Sequence, residues 1–428
     1  MNQRSAAPQE PVDRAALVSL IPRTSRVSDP EVVLDELAGL ARAAGATVVL
    51  TVTQEREGPD RATLIGSGKA ETLARGCEET GATVVIVDNP ISPAQARNLE
   101  KIVGRRVIDR TALILDIFAR RARTREGQLQ VELAQLEYLL PRLAGSSTAL
   151  SRLGAGIGTR GPGETKLETD RRRIRQRIST LKTSIADVKR RRGYLRARRR
   201  RTDVPVVALV GYTNAGKTTL FNRITGATEI ASDALFVTLD PVVRRVRLGD
   251  QRQVLVSDTV GFIDRLPHEL VAAFHATLEE VASADLVLHV LDGGALDVDR
   301  RADAVRRVLA EVGASAVPTL DVINKTDRLS PDDVNRLAAG HRDAAFVSAV
   351  TGDGIEALVA TVVERLDMDA RRMTLRFAAD SAEDTRLVAE LYRVARVVSH
   401  ETGGGEVAIE ADVPRRLMAR FLRERVPA

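Results

Sequence analysis

The sequence predicts a multidomain α/β chain. A parallel-sheet α/β domain comes first, then a long antiparallel helical hairpin, a second, doubly wound and mostly parallel α/β domain, and a small α+β domain. Three observations carry this. The chain has 428 residues, more than one core usually holds. Apolar runs of strand length alternate with runs of helix length in two separate stretches, the pattern of βαβ units. Between those stretches lie two apolar stripes at heptad spacing, the pattern of paired helices.

Residues 1–12 read as a flexible tail. In 13–125, AALVSLI (15–21), TVVLTVTQ (47–54), TVVIVDN (83–89) and RRVIDR (105–110) read as strands. DPEVVLDELAGLARAAG, GKAETLARGCEETG and SPAQARNLEKIV read as the helices between them. Residues 126–202 form the hairpin. Leu129, Leu133, Leu136, Leu140 and Leu143 are spaced 4,3,4,3, and so are Ile174, Ile178, Leu181, Ile185 and Val188. Such a stripe buries one narrow seam against a partner helix. Pro141 should kink or interrupt the first helix, because it removes a donor and clashes with the preceding turn. The expected tip, 154–163, is GAGIGTRGPG. In 203–368, VPVVALV, QVLVSDT, LVLHVLD, TLDVINK and AAFVSAV read as strands covered on both faces, with a helix from Lys217. In 372–428, RMTLRFA, a helix over 382–398, GEVAIEADV and PRRLMARFLRERV make the small domain, with ETGGGE (401–406) as a turn.

The net charge is +6, and it is unevenly spread: Lys189–Arg201 holds nine basic residues in thirteen. Such a run suits a polyanion, or a solvated helix face. The single cysteine, Cys77, excludes an internal disulfide and a cysteine metal cluster. No apolar run approaches the ~20 residues of a membrane span, and the amino terminus lacks a signal-peptide core. A cytoplasmic chain without a membrane span is expected.

Two glycine-rich stretches compete as phosphate cradles. The tip at 154–163 has neither a preceding strand nor a Gly-Lys-Ser/Thr ending. GYTNAGKTT (211–219) has both. Gly211, Tyr212, Thr213, Asn214, Ala215 and Gly216 would wrap phosphate with backbone N–H groups at a helix start. Lys217 would neutralise β/γ oxygens, Thr218 would ligate Mg²⁺, and Thr219 continues the motif. DTVG comes next, with Asp258 placed to hold Mg²⁺ through water and the Gly261 N–H placed at the γ-phosphate. In NKTD, the Asp327 carboxylate accepts from the two donors on one edge of guanine, which adenine does not present. Asn324 would brace the loop, and the Lys325 stem would cover the ring. The Ser348 and Ala349 backbone would meet guanine O6. In this order the motifs make 203–368 a P-loop GTPase domain that binds GTP and GDP. IGSGKAE, with Gly66 and Lys69, is a poorer match: it lacks the full spacing and the Ser/Thr after lysine.

Residues 204–350 resemble a GTPase domain of the translation-factor-related class. DALFVTLDPVVRRV resembles the first switch of the Obg/HflX branch, with Thr238 at the threonine that reads γ-phosphate and Mg²⁺. DTVGFIDRLPHELVAAFHATLEE, LILDIFARRARTREGQLQVELAQL and GIGTRGPGETKLETDRRR resemble the HflX-type ribosome-associated GTPases. The resemblance covers about residues 45–370. It implies a protein that binds the large ribosomal subunit and its RNA through the N-terminal region, and that splits or rescues stalled ribosomes under stress; a monomer is expected, although the sequence is silent on oligomeric state. Gly156, Gly158, Arg160, Gly161 and Gly163 at the tip, with Arg171, Arg172 and Arg173 on the stem, are the candidate RNA contacts. Related GTPases with an asparagine at Asn214 use K⁺. Ras-like enzymes place a glutamine where this chain has Phe262, so turnover should be slow alone and ribosome-stimulated. His268 is weighed as a substitute and also as a plain switch histidine. Lys217, Thr238 and Gly261 remain as catalytic candidates. Rival readings are a ribosome-assembly or RNA-maturation GTPase, an ATP-dependent RNA remodeller working through the N-terminal domain, and a scaffold holding GTP as a structural ligand.

Overall fold

The computed structural model describes residues 12–23, 30–143, 166–200, 204–230, 235–248, 253–264, 280–366, 368 and 370–422. They fall into two compact units. The first holds the described residues up to 194 together with 235–240. The second holds those of 195–230, 241–264 and 280–422.

In the first unit, β1 (Arg14–Pro22), β2 (Thr47–Arg56), β3 (Val84–Val87) and β4 (Arg106–Asp109) lie in the order β2-β1-β3-β4, all parallel. β1 is buried at every residue from Ala15 to Leu20, so helices cover both of its faces. Ala16, Val18 and Leu20 pack with Leu73 and Cys77 of α2 (Ser67–Thr80) and with Leu99 and Val103 of α3 (Pro93–Val103). Ala15 and Leu17 point the other way, where α1 (Pro30–Ala43) and α4 (Arg110–Arg121) bring the buried Leu37, Leu40, Leu113 and Ile117. Sequence reading did not mark α4 as a helix of its own. It starts directly after β4 because Asp109 ends the strand and caps the helix, its carboxylate accepting from Ala112 N–H at 2.9 Å.

α5 (Arg125–Arg142) and α6 (Lys166–Arg200) meet through Leu129, Leu133 and Leu181, flanked by Leu136, Ile178 and Ile185. These are heptad positions. Arg177 donates to both carboxylate oxygens of Glu132, at 2.6 and 2.8 Å, and Lys182 lies 2.8 Å from Glu137. Pro141 interrupts α5 near its end. It occupies the last turn, and the helix ends one residue later, where little helix remains to break. Leu143 is the C-terminal cap residue. Residues 154–163 lie outside the described residues.

In the second unit, β5 (Val206–Gly211), β6 (Val242–Arg247), β7 (Gln253–Asp258), β8 (Leu286–Asp292), β9 (Thr319–Asn324) and β10 (Ala345–Phe346) lie in the order β10-β9-β8-β5-β7-β6. All neighbours are parallel except β6 against β7. The helices α7 (Lys217–Thr225), α8 (Val298–Glu311), α9 (Pro331–Gly340) and α10 (Ile355–Arg365) accompany this sheet. Val207, Leu209, Phe221, Val256, Leu288, Val322 and Leu358 form part of its core. Sequence reading missed β6, because the arginines of VVRRVR interrupt the apolar run on this edge strand.

A second, antiparallel sheet has the order β11-β13-β12, from β11 (Ala370–Ala378), β12 (Arg396–Gly403) and β13 (Glu406–Pro414). Against it pack α11 (Ala382–Val394) and α12 (Arg415–Leu422). The helix expected over 382–398 stops at Val394, and the β-branched Val397 and Val398 open β12 instead. Gly404 and Gly405, with φ of +59° and +81°, make the two-residue hairpin turn that left-handed residues favour.

Candidate functional site

β5 ends at Gly211 and α7 begins at Lys217, so residues 212–216 form a strand-to-helix loop. Two glycines are required by space. A Cβ at Gly211 would lie 2.2 Å from the Val290 carbonyl oxygen, and one at Gly216 would lie 2.2 Å from Asn324 Nδ2. Gly216 also has a φ of +89°. Asn214 takes a left-handed φ of +61°, which asparagine tolerates better than most residues. Thr218 and Thr219 stand in the first turn of α7, where exposed N–H groups and the helix dipole favour an anion.

Lys217 is buried beneath this loop and donates from Nζ to the carbonyls of Gly211 (3.1 Å) and Tyr212 (2.9 Å). Burial pushes its pKa down, the nearby Asp258 charge offsets part of this, and the result is about 8. Asp258, at the end of β7, is 1% exposed. It accepts from the Thr218 hydroxyl at 2.9 Å. A hydroxyl beside a carboxylate is a hard oxygen pair of the kind Mg²⁺ takes alongside phosphate.

The NKTD and SAVTGDG motifs converge on the same loop. Asn324 is buried at the end of β9. Its Nδ2 donates to Ala215 O at 2.9 Å, and its Oδ1 accepts from Ala349 N–H at 3.0 Å. Lys325 has a φ of +65° and donates to Asn214 O (2.8 Å) and Asp292 (2.7 Å). The exposed Asp327 accepts from the Ser348 hydroxyl at 2.6 Å. Motifs more than a hundred residues apart are thus tied by single hydrogen bonds.

The segment after Asp258 closes on the loop as well. The Phe262 N–H donates to Gly211 O at 3.0 Å, and the Thr213 N–H donates to Phe262 O at 2.7 Å. Phe262 is 2% exposed. Sequence reasoning missed the neighbours that hold this segment. The Asp264 N–H donates to the Tyr212 hydroxyl at 2.7 Å, and the Arg301 guanidinium lies 5.1 Å from the Tyr212 ring centroid. Arg300 donates to Asp264 at 3.2 Å and pairs with Asp297. The only signal was Asp297, Arg300 and Arg301 at i, i+3 and i+4 on a helix, which usually means a surface pair.

Thr238 belongs with the first unit. There the Phe236 ring stands edge-on to Phe118 at 4.6 Å, and Asp240 accepts from the N–H groups of Arg123 and Thr124, both at 2.9 Å. Gly156, Gly158, Arg160, Gly161, Gly163 and His268 lie outside the described residues. On α6, Arg172 and Arg173 are exposed while Arg171 is half-buried. Three successive helical residues sweep roughly 200° and do not share one face. Among the described residues, no helix is long and apolar enough to cross a membrane.

Residues 31–119 match the family model described as GTP-binding GTPase N-terminal, 121–199 the GTP-binding GTPase Middle Region, and 206–325 the 50S ribosome-binding GTPase. The chain is 43% identical to the GTPase HflX of Caldanaerobacter subterraneus subsp. tengcongensis, over 96% of this chain and 93% of that one. It is 45% identical to the GTPase HflX of Escherichia coli K12, over 89% of each. A solved GTP-binding protein from Sulfolobus solfataricus in complex with GDP aligns to 83% of this chain and 99% of its own. The identity is 24% and the TM-score 0.44.

Proposed function

The chain belongs to the HflX family of GTPases, and from that premise we propose that it uses GTP to act on the large ribosomal subunit, splitting or rescuing stalled ribosomes under stress. GTP binding and hydrolysis come with the family. The observation that best supports the nucleotide site is Asn324, which bridges the phosphate loop at Ala215 and the guanine loop at Ala349. In this reading Gly211–Thr219 hold the phosphates, Lys217 neutralises them, and Asp327 selects guanine, with Lys325, Ser348 and Ala349 around the base. Bound Mg²⁺ would neutralise β and γ oxygens, held by Thr218 and by Asp258 through water. Asn214 would recruit K⁺; equal turnover in Na⁺ and K⁺ buffers would remove that role.

Phe262 has no group to orient water, so hydrolysis is slow until the ribosome assists. The 126–202 hairpin is the RNA-facing part. Its basic stem supplies phosphate contacts and a steep salt dependence, and its tip presents small residues and Arg160 to a crowded RNA surface. Binding in the GTP state separates the subunits, and hydrolysis releases the protein. Sedimentation of ribosomes with the protein and a non-hydrolysable GTP analogue tests this. Subunits should accumulate from mature particles. Binding only to precursor particles would favour an assembly role, and no splitting with the analogue would place hydrolysis before separation.

A further inference from the structure

The glutamine position holds Phe262, yet a residue that carries a hydroxyl, Thr213, is hydrogen-bonded to it through the backbone. Thr213 is 4% exposed, and its Oγ1 is buried with no hydrogen-bond partner among the described residues. Buried unpaired hydroxyls are uncommon, and each calls for an explanation. The Thr213 backbone is fixed, because its N–H donates to Phe262 O at 2.7 Å. Its methyl group faces Gly261: an added Cβ there would lie 2.9 Å from Thr213 Cγ2 and 3.1 Å from its Cα. That same added atom would lie 3.2 Å from Lys217 Nζ. Thr213, the Gly261 backbone and the Lys217 ammonium therefore crowd one small volume, at the end of the loop where the outermost phosphate belongs.

We propose that the Thr213 hydroxyl is a catalytic residue that donates a hydrogen bond to a γ-phosphoryl oxygen of GTP during hydrolysis. This rests on the guanine-nucleotide site proposed above. The water oxygen bonds to the γ-phosphorus, and the bond to the β–γ bridging oxygen breaks, its electron pair leaving with GDP. The water's proton ends on the released phosphate. Charge on the γ-phosphoryl oxygens is met by the Lys217 ammonium, the Gly261 N–H and the Thr213 hydroxyl. The hydroxyl orients the phosphoryl group rather than the water, and so does not replace the missing glutamine. It finds its partner only in the triphosphate state, because GDP has no γ-phosphate.

Two substitutions separate chemistry from packing. Thr213→Val keeps the methyl against Gly261 and removes the hydroxyl. Thr213→Ser keeps the hydroxyl. Single-turnover GTP hydrolysis should fall about 10- to 100-fold in Thr213→Val and stay within about threefold of wild type in Thr213→Ser. Affinity for GDP should stay within about twofold in both. The proposal is overturned if Thr213→Val hydrolyses GTP at the wild-type rate. It is also overturned if GDP affinity falls as far as the rate, or if Thr213→Ser is as slow as Thr213→Val. GDP binding by wild type, lost in Lys217→Ala, checks the underlying site separately. If that control fails, the site reading falls and this inference falls with it.

Discussion

In the proposed nucleotide site, Lys217 and Asp327 each carry a chemical signature. Burial pushes Lys217 down to about 8, so at about pH 9 most of it is neutral. A polyphosphate against Nζ favours the charged form, so GDP binding takes up a proton at about pH 9 and almost none at about pH 6. Affinity accordingly falls as pH rises above 8. Calorimetry of GDP binding in buffers of different ionisation enthalpy measures this, and equal proton uptake at both values would contradict it. Asp327→Asn replaces one acceptor oxygen by a donor. Guanine affinity should drop by at least about 100-fold, while xanthine nucleotides, which offer a carbonyl at that edge, gain. Competition of GDP and XDP for the same site reads the exchange. Both residues were legible in the sequence, because a phosphate loop and a guanine edge allow few residue types at few spacings. Tyr212, Asp264 and Arg300 belong to no such pattern in the contacts they make, and Thr213 belongs to none in the role proposed for it. Their contacts join segments whose separation along the chain carries no constraint.

At the scale of elements, heptad spacing found the α5–α6 seam, and Pro141 lies in the last turn of α5, where the helix is interrupted. Leu181 is 1% exposed between Leu129 and Leu133. Leu181→Ala should therefore cost about 2–4 kcal/mol, read by denaturant unfolding, and a loss under about 0.5 kcal/mol would argue against a packed seam. A second tie joins the inner strands of the nucleotide-binding sheet. His289 of β8, fully buried, lies 2.8 Å from Asp321 of β9, which Arg306 also meets at 2.9 Å. Burial pushes the Asp321 carboxyl up, but hydrogen bonding and charge from His289, with Arg306 and His341, bring it down to about 2. A carboxylate depressed in the folded state stabilises above its unfolded value of 3.8, and that stability is lost as pH falls toward 2. It is worth roughly 2 kcal/mol. Asp321→Asn should be less stable at neutral pH and should lose less stability between about pH 4 and 2; unchanged acid sensitivity would count against the pair. Neither this tie nor β6 was visible in sequence. A histidine inside LVLHVLD reads as one more buried strand position, and the arginines of VVRRVR hide an edge strand.

For the whole molecule, alternation of strands and helices foretold both parallel sheets, and the proposed function gives the nucleotide to the second of two glycine-rich stretches. The second stretch has the strand, the helix, the buried lysine and the braces from Asn324 and Lys325. The first, at 154–163, is assigned the RNA-facing role within the proposed function. That division of labour is tested by GTP turnover, with and without purified large ribosomal subunits in K⁺ buffer, on wild type and on a deletion of residues 156–163. Both proteins should turn over slowly alone and bind GDP with near-equal affinity. The subunits should stimulate wild type strongly and leave the deletion variant unstimulated. Loss of GDP binding in the deletion variant, or full stimulation without the tip, would contradict it.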